Sequence, residues 1–217
     1  MNTKRIIFWA SFIIVLILII WGLIVAMGKT PVVPGGNLGE PAPVNASDNV
    51  FGPSDAPVTI IEYSDYQCPA CQIYHFMIER LLASSTVPIR FVYRHFPLPY
   101  HKNAIPAALA VEASGLQGKY LEMHKLVFDN QSDWEGVPDP VSIFTKYATE
   151  IGLDLQKFLT DSKSQVLKDK INAQKDEGLK IRIGGTPSFF VNGKSITNPS
   201  SYDEFKTIIE QVVKQSL

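Results

Sequence analysis

The sequence predicts an α/β domain built as strand, helix, strand, a helical insertion, a β-hairpin and a closing helix, carried behind one membrane-spanning helix. Three observations predict it. Two β-branched runs, residues 56–63 (APVTIIEY) and 88–96 (PIRFVYRHF), flank a stretch with helical apolar spacing. A third run, residues 186–191 (TPSFFV), ends in an Asn192-Gly193 pair of the kind that closes a two-residue hairpin. Residues 6–27 contain no charged side chain, and at 1.5 Å per residue a helix of that length reaches about 33 Å, enough to cross a bilayer core.

Taken from the N-terminus, residues 1–5 hold Lys4 and Arg5, which with the terminal amine outweigh Lys29 beyond the apolar run. The positive-inside rule then places the N-terminus in the cytoplasm and the body outside it. A cleaved signal peptide competes with an anchor here. The apolar run is longer than a signal core and its one passable cleavage site, Ala26-Met27-Gly28, is poor, so an uncleaved anchor is expected, with a secreted domain as the alternative. Trp9 and Trp21 lie inside the run and read as lipid-facing bulk. Residues 28–49 are rich in Pro and Gly without apolar period, as in a semi-extended linker, and a domain of residues 50–217 follows.

Pro53 and Pro57 confine the start of the first strand. Pro69 suits the first position of a helix, where its missing N–H costs nothing, and Ile73, Phe76, Met77 and Leu81 continue at helical spacing. Cys68 is therefore expected at the N-cap. The second strand should run parallel to the first through a right-handed crossover. An insertion over about residues 103–178 reads as helices at 103–115, 118–130, 142–151 (closed by Gly152) and 154–178 in two pieces. Ser201 and Glu204 form a capping box ahead of Phe205, Ile208, Ile209, Val212 and Val213 on one face of the last helix.

With 46% hydrophobic residues and a net charge of −1, the chain is neither disordered in composition nor built to bind nucleic acid. It has two cysteines, both in SDYQCPACQ, as Cys68 and Cys71. Outside the cytoplasm such a pair can cycle between dithiol and disulfide, and one short loop cannot serve as a scaffold for a body this size. A thiol at a helix N-terminus meets unpaired N–H groups and the positive end of the helix dipole, which favour the thiolate that attacks disulfides. Cys71, one turn on, is placed to resolve the mixed disulfide. A zinc site and a structural clasp compete with this. His75, His95, His101 and His124 are the other soft ligands, no second CxxC or HxxxH accompanies them, and a clasp would constrain little chain. No metal, and no cofactor beyond a Cys68-Cys71 disulfide, is expected.

Four stretches carry a resemblance: residues 63–71 (YSDYQCPAC), 93–98 (YRHFPL), 116–128 (LQGKYLEMHKLVF) and 184–193 (GGTPSFFVNG). Through them nearly all of residues 50–217 resembles the DsbA-like family of thioredoxin-fold thiol–disulfide oxidoreductases, in its membrane-anchored bacterial form. The resemblance implies a thioredoxin-like α/β fold with the helical insertion. It implies a cis bond before Pro187, beside the cysteines, with the Thr186 backbone offered to an extended client as an added strand. Glu62 corresponds to the buried acid that takes the Cys71 proton, with an edge-exposed glutamate as the alternative because Tyr63 and Ser64 leave the register open. Tyr66 is expected along the client groove, with core packing as the alternative, and Pro69-Ala70 as the active-site turn. His95 is expected as a satisfied strand-end histidine and His75 at a solvated helix position. Strong oxidants of the family carry a histidine inside the CxxC, whereas Ala70 adds no hydrogen bond to the thiolate. The implied function is a monomeric, exported dithiol oxidase acting on cysteine-containing clients and reoxidised by a membrane partner. A reductase or isomerase with the same pair, or a non-catalytic envelope-binding module, are the alternatives.

Overall fold

In the computed structural model of the protein, which describes Trp9, residues 12–21 and residues 38–216, the two β-branched runs lie side by side in the middle of a five-stranded sheet. The strands are β1 (Asn49–Phe51), β2 (Val58–Ser64), β3 (Ile89–His95), β4 (Ser188–Val191) and β5 (Lys194–Ile196), in the order β1-β3-β2-β4-β5. β2 and β3 are parallel, with Val58 opposite Ile89 and Ser64 opposite His95; the other pairs are antiparallel. Parallel neighbours need a crossover, and helix α1 (Pro69–Ser84) provides it. The hairpin closes as expected, since Asn192 and Gly193 both adopt positive φ, 47° and 79°.

Side-chain alternation along β2 divides the core. Ile61 and Tyr63 pack on one face with Val92, Phe96, Leu98, Ile183 and Phe190. Ile60, Glu62 and Ser64 therefore point to the other face, where Tyr93 and Phe189 flank Glu62 in register. That face is covered by α1, through Tyr74 against Phe189, and by helix α8 (Tyr202–Ser216), through Phe205 against Phe189.

The insertion is helical, as expected, with α2 (Ala104–Gly115), α3 (Tyr120–Asp129), α4 (Gln131–Trp134), α5 (Val141–Glu150), α6 (Leu155–Asp161) and α7 (Gln165–Lys180). α2 is buried nearly all round, in keeping with its apolar composition. α7 does not stop at Gly178. That glycine packs tightly on Phe96 and Tyr63, and a Cβ there would stand 2.8 Å from the Phe96 ring. The capping box of α8 is half formed: Glu204 N–H donates to Ser201 Oγ, but the Glu204 carboxylate accepts from Ser200.

Two departures concern the N-terminal side. β1 is an edge strand that no alternation signalled, because three residues are too few to show a period. The stretch expected as a free linker to residue 49 is, from Leu38 onward, part of the domain. Leu38 and Val44 pack on the core, Gly39 N–H donates to the Ile181 carbonyl at 2.9 Å, and Ala42 N–H donates to Glu177. Arg94 of β3 holds this segment. Its guanidinium donates to both Asp48 carboxylate oxygens at 2.9 Å, to the Ala42 carbonyl at 2.9 Å and to the Tyr63 hydroxyl at 2.8 Å. Tyr63 in turn donates to Glu177 on α7. The rest of the expected linker, and half of the expected 6–27 anchor, lie outside the described residues. Within that anchor residues 12–21 are helical with exposed apolar side chains, and among the described residues no helix is long and apolar enough to cross a membrane.

Arg94 and Asp48 are both nearly fully buried, so removing one strands the other's charge. Arg94→Ala is expected to destabilise the domain by about 3–5 kcal/mol in urea unfolding, and Arg94→Ala with Asp48→Ala by clearly less than the sum of the two single changes.

Candidate active site

β2 ends at Ser64, and the next four residues turn the chain from the sheet edge into α1. Asp65 organises that turn. Its buried carboxylate accepts from Gln67 N–H at 2.7 Å and Leu98 N–H at 2.8 Å, and pairs with His101 Nδ1 at 2.7 Å. This is an Asx turn tied to the loop after β3. The insertion clamps the same turn from above: Gln131 donates to the carbonyls of Tyr66 (2.6 Å) and Cys68 (3.1 Å), and Gln67 Oε1 accepts from Asn103 N–H at 2.7 Å. The sequence reading assigned Asp65, Gln131 and Asn103 no role. An Asp two residues before a turn position is a recognisable Asx signal; a glutamine inside a helical insert carries none.

Cys68 occupies the N-cap of α1 and Pro69 its first turn, as expected. No side chain caps the helix, so the Ala70 and Cys71 N–H groups are free to meet the Cys68 sulfur. Cys68 Sγ stands 3.5 Å from the Thr186 carbonyl oxygen, and the Thr186-Pro187 bond is cis. Both cysteines are free and lie 7% and 0% exposed, respectively. Donation from the Cys71 thiol, helped by Thr186 and the Cys71 and Ala70 N–H groups, outweighs burial and brings the Cys68 thiol down to about 5. Cys71 is pushed the other way, by burial first, then by its hydrogen bond to Cys68 and the Glu62 charge. One sulfur is thus a thiolate and its neighbour a thiol, although Ala70 contributes no side-chain donor.

Glu62 lies beneath this pair, 2% exposed, on the inward face of β2. Burial raises its carboxyl to about 8, against the Ser64 hydroxyl, which lowers it. Glu62 Oε1 and Ser64 Oγ have no hydrogen-bond partner within ordinary geometry among the described residues. They share a strand face two residues apart, with Ser64 nearer the cysteines. This is the arrangement of a proton reservoir: a neutral acid and a hydroxyl below a buried thiol.

Two expectations are corrected here. Tyr66 does not line a groove; it is 1% exposed, packed on Tyr93 and Phe128, and shares a 2.7 Å hydrogen bond with His124. Its ring falls under α3, which the sequence alone could not bring there. His75 is not solvated either. It is 5% exposed and stacked on Phe128 of α3, ring centroids 4.8 Å apart. His95 is satisfied, as expected, at 2.8 Å from Glu112. Burial opposes it, but His95 and Lys170 hold Glu112 down at about 2.

A CxxC helix start thus faces a cis-proline loop on this sheet. Residues 45–211 match the family model described as thioredoxin. The chain belongs to the thioredoxin family. Among solved structures, oxidised BdbD from Bacillus subtilis is similar at 25% identity and a TM-score of 0.71, covering 82% of this chain and 97% of that one. α-DsbA1 from Wolbachia pipientis shares the fold at 22% identity, a TM-score of 0.71, and 80% and 94% coverage. Two relatives are named Na(+)/H(+) antiporter NhaA, from Salinispora tropica (34% identical over 75% of this chain) and Salinispora arenicola (39% over 68%). This thioredoxin-family chain spans about a quarter of the length of those relatives, 24% and 22%, so the likeness is that of a shared domain.

The Cys68 environment makes a pH prediction. A thiol held at about 5 is ionised in the folded reduced protein while an unfolded thiol titrates near 9. The reduced form, relative to the disulfide form, therefore gains stability as pH rises from about 5 to 9 and loses it as pH falls through about 5. Cys71, shifted upward, adds nothing below pH 9. Iodoacetamide labelling of Cys68 should be half-maximal near pH 5, and Cys71→Ala should move that midpoint upward, since the Cys71 thiol is its largest stabiliser.

Proposed function

We propose that this protein is a thiol–disulfide oxidoreductase acting outside the cytoplasm, and that it works as a dithiol oxidase on cysteine-containing client proteins. The observation that carries it is the opposed setting of two sulfurs in one helical turn: Cys68 acidified at the helix start beside Thr186, Cys71 buried and protonated over Glu62.

In the oxidised protein a client thiolate attacks Cys68 Sγ. The Cys68-Cys71 bond breaks, and Cys71 leaves with the electron pair. Glu62, neutral at pH 7, supplies a proton to that buried thiolate, and the Ser64 hydroxyl lies on the way. A second client thiolate then attacks the client's sulfur in the mixed disulfide. Cys68 departs as a thiolate, which its low pKa favours, and two electrons have passed from client to protein. Reoxidation by a membrane partner's disulfide reverses the sequence, with Glu62 taking the proton back as Cys71 attacks. The Thr186 carbonyl, adjacent to Cys68, is positioned to receive an N–H from an extended client strand. Stabilising the reduced form is what makes a disulfide oxidising, which favours oxidase over reductase. The uncharged run at 6–27 and the basic residues before it support an anchor with the catalytic domain outside. A reductase or isomerase remains the second reading, because no histidine in the CxxC adds to the Cys68 thiolate.

The equilibrium reduction potential of the full-length chain, titrated against glutathione, separates them: a value toward about −120 mV is expected, and one near about −270 mV would make the protein a reductase. Cys71→Ser should accumulate mixed disulfides with clients through Cys68, and Cys68→Ser should abolish turnover; an unaltered Cys68→Ser activity would point to a binding module. Glu62→Gln is expected to slow the Cys71 step about 10²-fold while leaving Cys68 labelling near its original rate.

A further inference from the structure

A second constellation sits on the CxxC helix, one turn beyond Cys71. His75 Nε2 is buried and has no hydrogen-bond partner among the described residues. It stands 3.7 Å from Glu79 Oε2 and 3.5 Å from Asp129 Oδ1. Both separations are too long for hydrogen bonds. They are close to the spacing of two ligands on one small cation: with metal–N and metal–O distances near 2.0–2.2 Å, tetrahedral ligands stand about 3.3–3.6 Å apart. All three ligand atoms lie within 4.8 Å of one another.

The placement follows from the helices. His75 and Glu79 are four apart on α1 and share a face, and Asp129 ends α3, which crosses that face through the His75–Phe128 stack. The two carboxylates already attract a cation. Lys125 Nζ lies 3.0 Å from Glu79 Oε1 and 3.0 Å from Asp129 Oδ2, yet its side chain is half exposed and free to withdraw into water.

We propose that His75, Glu79 and Asp129 form a binding site for a divalent transition-metal cation of the zinc type, with Lys125 as the competing resident charge and a fourth position open to water. One imidazole with two carboxylates is a donor set that suits Zn2+, whereas Ca2+ and Mg2+ prefer oxygen ligands alone. The ion would pin α1, which carries both cysteines, to α3 of the insertion. The three residues are not among the reacting groups at the cysteines, and the sequence offered only the His75-Glu79 pair toward the site, Asp129 being brought there by α3.

The test is calorimetric titration of ZnCl2 into the full-length chain carrying Cys68→Ser and Cys71→Ser, so that no thiolate competes, in phosphate-free buffer at pH 7.5. One saturable site per chain is expected. Glu79→Gln should weaken it by more than about tenfold, the loss that even an outer partner of a metal ligand brings. Lys125→Ala should tighten it by about threefold to tenfold, corresponding to the loss of one or two exposed ion pairs. His75→Gln should match Glu79→Gln; if that buried change prevents folding, the Glu79 and Lys125 variants, both on the exposed rim, carry the result. Absence of a saturable site, equal affinity in Glu79→Gln, or weaker binding in Lys125→Ala overturns the proposal.

Discussion

Two identical thiols, three residues apart, must be made chemically unlike, and this requirement organises the molecule. Only a helix start does it in so short a span. Its first residue meets open N–H groups, and the residue one turn later points down into the core. Cys68 and Cys71 take those two places, and the difference in their protonation follows from position alone. The parallel pairing of β2 with β3 matters because it delivers the chain to one sheet edge where α1 can begin, and the antiparallel β4 brings Thr186 to the same edge.

Polar groups buried in the domain are sorted by purpose. Several charged groups away from the cysteines are paired: Arg94 with Asp48 and Tyr63, Glu112 with His95 and Lys170, Asp65 with two backbone N–H groups and His101. A buried ion pair with all its hydrogen bonds made costs the fold little and gives the segment before β1 a single place to dock. Beneath the cysteines, by contrast, Glu62 and Ser64 are left without such partners. An unpaired buried carboxyl is expensive unless it stays neutral, and staying neutral near pH 7 is what a proton reservoir requires.

The helical insertion acts on the site by contact rather than by chemistry. Gln131 and Asn103 hold the turn before Cys68, Phe128 and His124 enclose Tyr66 and His75, and the end of α3 brings Asp129 to α1. Anything that shifts α3 relative to α1 would be felt at the first turn of the CxxC helix. The His75 cluster is where the two helices meet with opposite charge.

Local pattern was enough for much of this. The β-branched runs, Pro69 after Cys68, the Asn192-Gly193 turn and the apolar period of the last helix each depend on a few adjacent residues, so the sequence by itself determined the strand-helix-strand unit, the hairpin and the place of the two sulfurs. Tertiary structure decided what depends on groups far apart in the chain. It made residues 38–48 part of the domain, because their partners are Arg94 on β3, Glu177 and Ile181, all far along the chain; it buried Tyr66 and His75, because α3 lands on them; and it brought Asp129 beside Glu79. Periodicity reports which face of an element is apolar, but which distant element covers that face is set by packing, and no short-range pattern encodes it.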